Sequence, residues 1–154
     1  MECYEGATMI KTFRGIIDDN QQHRVNLHTN DGKTGYRIVK FQVMGISENI
    51  LYEATIKIYK VEQSAVDALV NFSDNTLLAA ALYGDSSSST SFAEQTVIFD
   101  REIFNQDIYV TYATLGAASD GMNYYIELEQ IKLDTNSNTV ATLKDMRNTA
   151  TPLP

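Results

Sequence analysis

One cysteine, no tryptophan and two prolines are present in a chain of 154 residues, and each scarcity excludes something. A single Cys3 cannot build an internal disulfide framework or a cysteine-based zinc site. It falls in an expected N-terminal extension, away from the buried electropositive setting that a catalytic thiolate needs. Basic residues are also scarce, with twelve Lys and Arg against twenty Asp and Glu, for a net charge of −8. They never form a run, which argues against a nucleic-acid partner, because phosphate-backbone binding depends on clustered cations. No apolar stretch approaches the roughly 20 residues of a membrane-spanning helix, so no membrane partner is expected. The opening MECYEGATMIKTFRG lacks the basic patch and apolar core of a signal peptide. Synthesis in a cytosol is therefore expected, with any exit as part of a larger assembly. No repeat of 20 to 50 residues is seen, which removes propellers and solenoids. There is no glycine-rich phosphate loop and no serine in a G-x-S-x-G frame.

What remains is ordinary globular composition, 44% apolar and 21% charged, of a size that suits one domain. The expected division is an extension over 1–8, a folded domain over 9–147 and a tail over 148–154. A period of two runs through most of the chain. Ile10 to Ile17 alternates, and so do His23 to Thr29, Tyr36 to Met44, Tyr52 to Lys60 and Asn123 to Leu133. In the third of these runs Val39, Phe41 and Val43 are expected inward. In the fourth, Ala54, Ile56 and Ile58 should face one way and Glu53, Thr55, Lys57 and Tyr59 the other. Asn30-Asp31-Gly32-Lys33, between two alternating runs, predicts a tight hairpin, because a type I′ turn needs positive φ at both central residues.

Thr96 to Phe99 and Ile108 to Tyr112 read as strands from their β-branched and aromatic content. Leu77 to Tyr83 is apolar and alanine-rich, helix or strand, and Ser64 to Leu69 is a helical turn or an apolar loop. Gly84 to Ser91 is a small, serine-rich loop expected to be exposed. Thr139 can cap a short C-terminal helix over Val140 to Arg147. About eight short strands with regular turn signals predict an all-β fold, an antiparallel β-sandwich of jelly-roll type. Ile103 and Phe104 stand in a charged joint between two strand-like runs. A strand that crosses between the sheets would bury them as a plug at the end of the core. A partner-facing patch is their alternative role.

The chemical constellations are weak. Asp134, Asn136, Asn138 and Asp145 occupy positions 1, 3, 5 and 12 of a calcium loop. Thr139 replaces the required glycine, and an Asp stands where a longer Glu is needed, so a polar turn is the better reading. His23 and His28, five apart on a strand, project to opposite faces and cannot share a metal. Glu127 and Glu129 share a face, as a glycosidase pair would. Adjacent glutamates on an acidic strand are more commonly just solvated. No catalytic residue, metal or cofactor is assigned. Nine tyrosines carry more information, since tyrosine offers amphipathic area at low entropic cost. Tyr109, Tyr112, Tyr124 and Tyr125, with Ile103 and Phe104, are the candidate interface residues. A carbohydrate platform also uses aromatics, although usually tryptophan.

Glu102-Ile103-Phe104-Asn105-Gln106-Asp107-Ile108-Tyr109-Val110-Thr111, Asn123 to Glu129 and Thr139 to Arg147 together resemble small virion structural proteins of marine tailed bacteriophages of the cyanophage and pelagiphage type. Thr12-Phe13-Arg14-Gly15 and Gly35-Tyr36-Arg37-Ile38 share the likeness, which runs from about Met9 to Arg147 and leaves out residues 1–8. The resemblance implies a non-enzymatic place in a virion assembled in the host bacterial cytoplasm. The leading expectation is a capsid decoration protein, a homo-oligomer and expectedly a trimer, bound to the major capsid protein. A tail, portal or fibre-attachment protein bound to tail proteins is the alternative. A carbohydrate-binding module for host surface glycans is a third.

Overall fold

The computed structural model describes residues 9–47, 53–85, 92–114 and 120–133. Among these residues there are eight strands and no helix: β1 (Ile10–Ile17), β2 (Gln21–Val25), β3 (Thr34–Gly45), β4 (Glu53–Tyr59), β5 (Leu77–Asp85), β6 (Phe92–Ile98), β7 (Ile108–Thr114) and β8 (Met122–Lys132). They form two antiparallel sheets, a three-stranded one ordered β1-β8-β3 and a five-stranded one ordered β2-β7-β4-β5-β6. The described part of the chain is all-β, as its period of two predicts. Alternate residues of both sheets meet in one core. Met122, Tyr124, Ile126 and Leu128 of β8 and Ile38, Phe41 and Val43 of β3 face Ile56 and Ile58 of β4 and Ile108, Val110 and Tyr112 of β7. Each such side chain contributes about 1.5–3 kcal/mol by leaving water.

The predicted hairpin over Asn30–Lys33 does not form. β2 pairs with β7 and β3 with β8, so this segment carries the chain from one sheet to the other. Gly32 does adopt a positive φ of 64°, so the turn chemistry holds while the pairing does not. The carboxylate of Asp107 takes the Leu27 and His28 amides, at 2.7 and 2.9 Å, and draws the chain away from strand geometry just past β2. A local turn signal specifies a reversal, not the partner strand.

Val39 is half-buried, and Tyr36, Ile38, Phe41 and Val43 are the inward set. A bulge between Ile38 and Lys40 inserts one residue, and a single insertion reverses the alternation beyond it. Leu77 to Tyr83 is strand, part of β5, buried on both faces over Leu77–Ala81.

The outer face of β4 departs furthest from expectation. Thr55, Lys57 and Tyr59 are buried there because residues 61–76 run across it as an irregular cover. Thr55 Oγ1 donates to the Ala68 carbonyl at 2.9 Å. Lys57 Nζ donates to Asp67 Oδ1 at 2.7 Å and to the Leu69 carbonyl at 2.6 Å. Gln22 of β2 and Gln63 exchange two bonds at the start of the cover, and the Lys60 amide donates to the Thr76 carbonyl at 2.8 Å at its end. Ser64–Leu69 forms no helical turn.

The joint between β6 and β7 stays with the five-stranded sheet at both ends, so it does not carry a strand between sheets. It reaches over to the other sheet midway, where Phe104 and Tyr36 exchange backbone bonds of 2.8 and 3.0 Å as an isolated antiparallel bridge. Phe104, 1% exposed, plugs the core and stacks on Tyr36, whereas Ile103 beside it is 39% exposed. Only Phe104 of the expected pair is a plug. Cys3, the Ser86–Ser91 loop, the calcium-like set Asp134, Asn136, Asn138 and Asp145, the Val140–Arg147 helix and the C-terminal tail lie outside the described residues.

Candidate functional site

The six candidate interface residues do not form one surface. Phe104 and Tyr112 are in the core and leave the set: a side chain with no exposed area offers nothing to a partner. Tyr112 spends its hydroxyl on the Asp120 carbonyl at 2.9 Å, which ties β7 to the start of β8. Tyr124 is 9% exposed and points inward, with its hydroxyl 3.3 Å from His23 Nδ1 across the two sheets. Burial raises the pKa of that phenol. Its ring occupies the space a side chain at Gly15 would need, with a Cβ there only 2.9 Å from the hydroxyl. Ile103, Tyr109 and Tyr125 keep exposed area, but on three separate parts of the molecule. Ile103 sits on the β6–β7 joint, Tyr109 on the outer face of the five-stranded sheet, and Tyr125 on the outer face of the three-stranded one.

A different apolar surface emerges on the five-stranded side. Leu69 (75% exposed) and Phe72 (58%) stand on the cover, and Leu82 and Val97 emerge from β5 and β6 beside it. The register aligns Lys57, Ala80 and Val97 in a row, with the Leu69 carbonyl bonded to Lys57 and Leu82 diagonal to Val97. Phe72 meets Phe99 edge-to-face at 5.5 Å. Underneath, Val70 and Phe99 pack on a second small cluster of Tyr59, Leu77 and Ala80. The sequence signal for this surface is the run of apolar residues Val66, Leu69, Val70 and Phe72 in a stretch that reads as a helical turn or an apolar loop and forms no helix.

The strongest electrostatic feature is Asp107, 5% exposed at the start of β7. Besides the two amides it accepts Arg24 Nε at 2.7 Å on Oδ2, and Arg24 Nη2 on the same oxygen. His28 Nδ1 lies 2.8 Å from Oδ1. Burial alone would raise the Asp107 pKa, but the bonds from His28, Leu27 and Arg24 outweigh it and hold the carboxyl well below the usual range. His23 and His28 serve different partners and share nothing. Asp107 therefore fastens the connection between the sheets.

Glu127 and Glu129 do face the same way, each with a partner of its own. Tyr125 donates to Glu127 Oε1 at 2.7 Å and Arg37 Nε to Glu129 Oε2 at 2.7 Å. No cluster of three or more His, Cys, Asp or Glu side chains suited to a metal occurs among the described residues. Compared with protein-family models and with curated proteins, the chain matches none.

Proposed function

We propose that this protein is a structural component of a tailed-phage virion, a capsid decoration protein that binds the assembled shell and acts as a homo-oligomer, a trimer being the expected form. The fold reading beneath it is a jelly-roll sandwich. A jelly roll is a long antiparallel ribbon, with strands 1–8, 2–7, 3–6 and 4–5 paired, curled until 8 meets 3 and 7 meets 4. The pairs β1–β8, β2–β7, β4–β5, β8–β3 and β7–β4 are all present. β6 departs from the pattern: it bonds to β5 and lies beside β3 without bonding to it.

The observation that carries the functional reading is the apolar surface of Leu69, Phe72, Leu82 and Val97. These are large, uncharged side chains on a protein of charge −8, standing on and beside a cover held to the sheet by the buried Lys57 ammonium and the solvent-facing Asp67 carboxylate. Uncharged aromatic and aliphatic area is what the centre of a protein–protein contact uses. The likeness of residues 102–111 and 123–129 to phage virion proteins directs that contact to a capsid.

Copy number per purified virion tests this reading. Hundreds of copies support a place on the shell, whereas about six or twelve, the symmetry of a tail or portal ring, would assign the protein there instead. Binding of the purified protein to capsids that lack it should be lost with Leu69→Asp and Phe72→Asp together. Undiminished binding would remove the apolar surface from the proposal.

A further inference from the structure

We propose that the outer face of the three-stranded sheet holds a binding site for a saccharide bearing a single carboxylate, such as a uronic acid unit. This goes beyond the virion reading and stands independently of it. The site lies on the three-stranded sheet, apart from Glu94 at its rim, and shares no residue with the apolar surface.

The register builds the site in two rows. Arg14 of β1, Tyr125 of β8 and Gln42 of β3 are aligned across the sheet, and Ile16, Asn123 and Met44 form the next row. All six alternate outward, away from the core. With Glu94 of β6 at the rim they line an open groove of about 520 Å³. That falls in the range of about 300–1,000 Å³ common for small-ligand sites.

Contrast with the other end of the same face shows what is unusual. There the charged and polar groups satisfy one another: Arg37 bonds Glu129, Tyr125 bonds Glu127, and Lys40 sits 5.8 Å from the Tyr125 ring centre. In the groove, neither Arg14 nor Gln42 is engaged in a hydrogen bond or ion pair among the described residues. Asn123 offers only its amide nitrogen, at 3.5 Å, to the Gly45 carbonyl. An acidic protein with few cations thus places an arginine that has no carboxylate partner among the described residues next to two amides and an anchored aromatic ring.

Each group has a counterpart on a sugar. The Tyr125 ring is held at its hydroxyl by Glu127 and has Lys40 Nζ over one face, so a pyranose would stack its C–H face on the opposite side of a ring that is already ordered. Gln42 and the Asn123 carbonyl oxygen exchange bonds with vicinal hydroxyls. Ile16 and Met44 cover the ring's apolar edge. The planar Arg14 fork matches a carboxylate bidentately. Glu94 accepts from hydroxyls at the opposite rim, where a second anion would be repelled. One carboxylate is therefore favoured over none and over many, and a protein of charge −8 adds to the exclusion of polysulfated chains.

The test is isothermal titration of the purified full chain with three probes: a glucuronic-acid-containing disaccharide, its neutral glucose counterpart and a heparin disaccharide. Only the first is expected to bind, with Kd at about 1 mM or tighter, the neutral analogue being at least about tenfold weaker for want of the Arg14 contact. Arg14→Gln should abolish that preference and Tyr125→Ala should weaken the uronate at least about tenfold. Both side chains are on the surface, so thermal melting should be unchanged, and Gln42→Ala provides a third variant should either fail to fold. Equal affinity for neutral and uronate probes, preference for heparin, undiminished binding by Arg14→Gln, or no binding of any probe would each overturn the assignment. Capsid binding does not enter these measurements, so this proposal and the virion reading can fail separately.

Discussion

Lys57 lies at the middle of the outer face of the five-stranded sheet and is 2% exposed, while across the molecule the outward-facing Gln42 and Arg14 of the three-stranded sheet are open to solvent. The five-stranded sheet is buried on both faces along the middle of β4, β5 and β7, whereas the outward residues of the three-stranded sheet in this region are exposed or half-buried. The covered face originates in a long connection: β4 and β5 are joined by residues 60–76, enough chain to fold back over their own sheet. A covered face demands that every polar group find a partner inside the protein, and an open face leaves that work to water. The covered face therefore uses Lys57–Asp67 and Thr55–Ala68 as structure. The open face is free to be a surface for something else.

The largest effects belong to the joint on which both sheets depend. Asp107→Ala removes the acceptor of two amides and an arginine, and should cost about 4 kcal/mol of unfolding free energy in urea titration. The same carboxylate sets an acid limit. Its folded pKa lies below the unfolded value of about 3.9, so its contribution is full above that value and is lost as pH falls below it. The wild-type urea midpoint should drop steeply on acidification below pH of about 4, and Asp107→Asn should flatten that slope. An unchanged slope in Asp107→Asn would mean that other carboxylates govern acid unfolding.

Ion pairs on the two faces give the next comparison. Desolvation opposes a charge on Lys57, but the bonds from Asp67 and Tyr59 outweigh it, and the net pKa is raised. Asp67→Ala leaves the buried ammonium with the Leu69 carbonyl but no carboxylate, and because Asp67 is itself 61% exposed the cost should be about 1.5–2 kcal/mol, less than for a fully buried pair. Lys57→Met keeps the volume, removes the charge and should cost less, about 1 kcal/mol, although Asp67 loses the same bond. On the open face Arg37–Glu129 has similar geometry with side chains 34% and 22% exposed. Arg37→Ala should cost under about 1 kcal/mol, because water replaces what is lost. If Asp67→Ala and Arg37→Ala proved equal, residues 61–76 would not exclude water from the sheet beneath.

This distinction between faces is the part of the fold that the sequence conceals. The strands were legible because a period of two survives in β1, β4 and β8, and the core set of Ile56, Ile58, Ile126 and Leu128 follows from it. Thr55, Lys57 and Tyr59 alternate like an exposed face and nonetheless lie buried, since alternation reports two chemically different faces and not which of them meets water. The bulge after Ile38 and the Asp107 bonds to Leu27 and His28 are equally hidden. Each involves partners about 80 or more residues away, as the separations of 79 and 80 for the Asp107 bonds illustrate. The apolar surface was missed for a related reason: Leu69 and Phe72 look like filler in an irregular loop until the sheet beneath them is known. Arg14, Gln42 and Tyr125 come from three strands, and only the register of β8 with both neighbours aligns them.

The smallest expected effect probes the covered face most directly. Thr111 is 1% exposed, between Gln22 of β2 and Lys57 of β4 in the register, and its Oγ1 has no hydrogen-bond partner among the described residues. Under a dry cover that hydroxyl has given up its water for nothing, so Thr111→Val, which removes the polar atom at nearly constant shape, should raise stability by about 0.5–1 kcal/mol. Thr12→Val on exposed β1 of the open sheet makes the same chemical change where the hydroxyl remains hydrated, and should leave the urea midpoint within about 0.5 kcal/mol of wild type. A gain at Thr111 and none at Thr12 is the signature of a cover that excludes solvent. A loss at Thr111 would instead mean that a water reaches Oγ1 beneath residues 61–76, and the five-stranded sheet would then be shielded from bulk solvent without being dry.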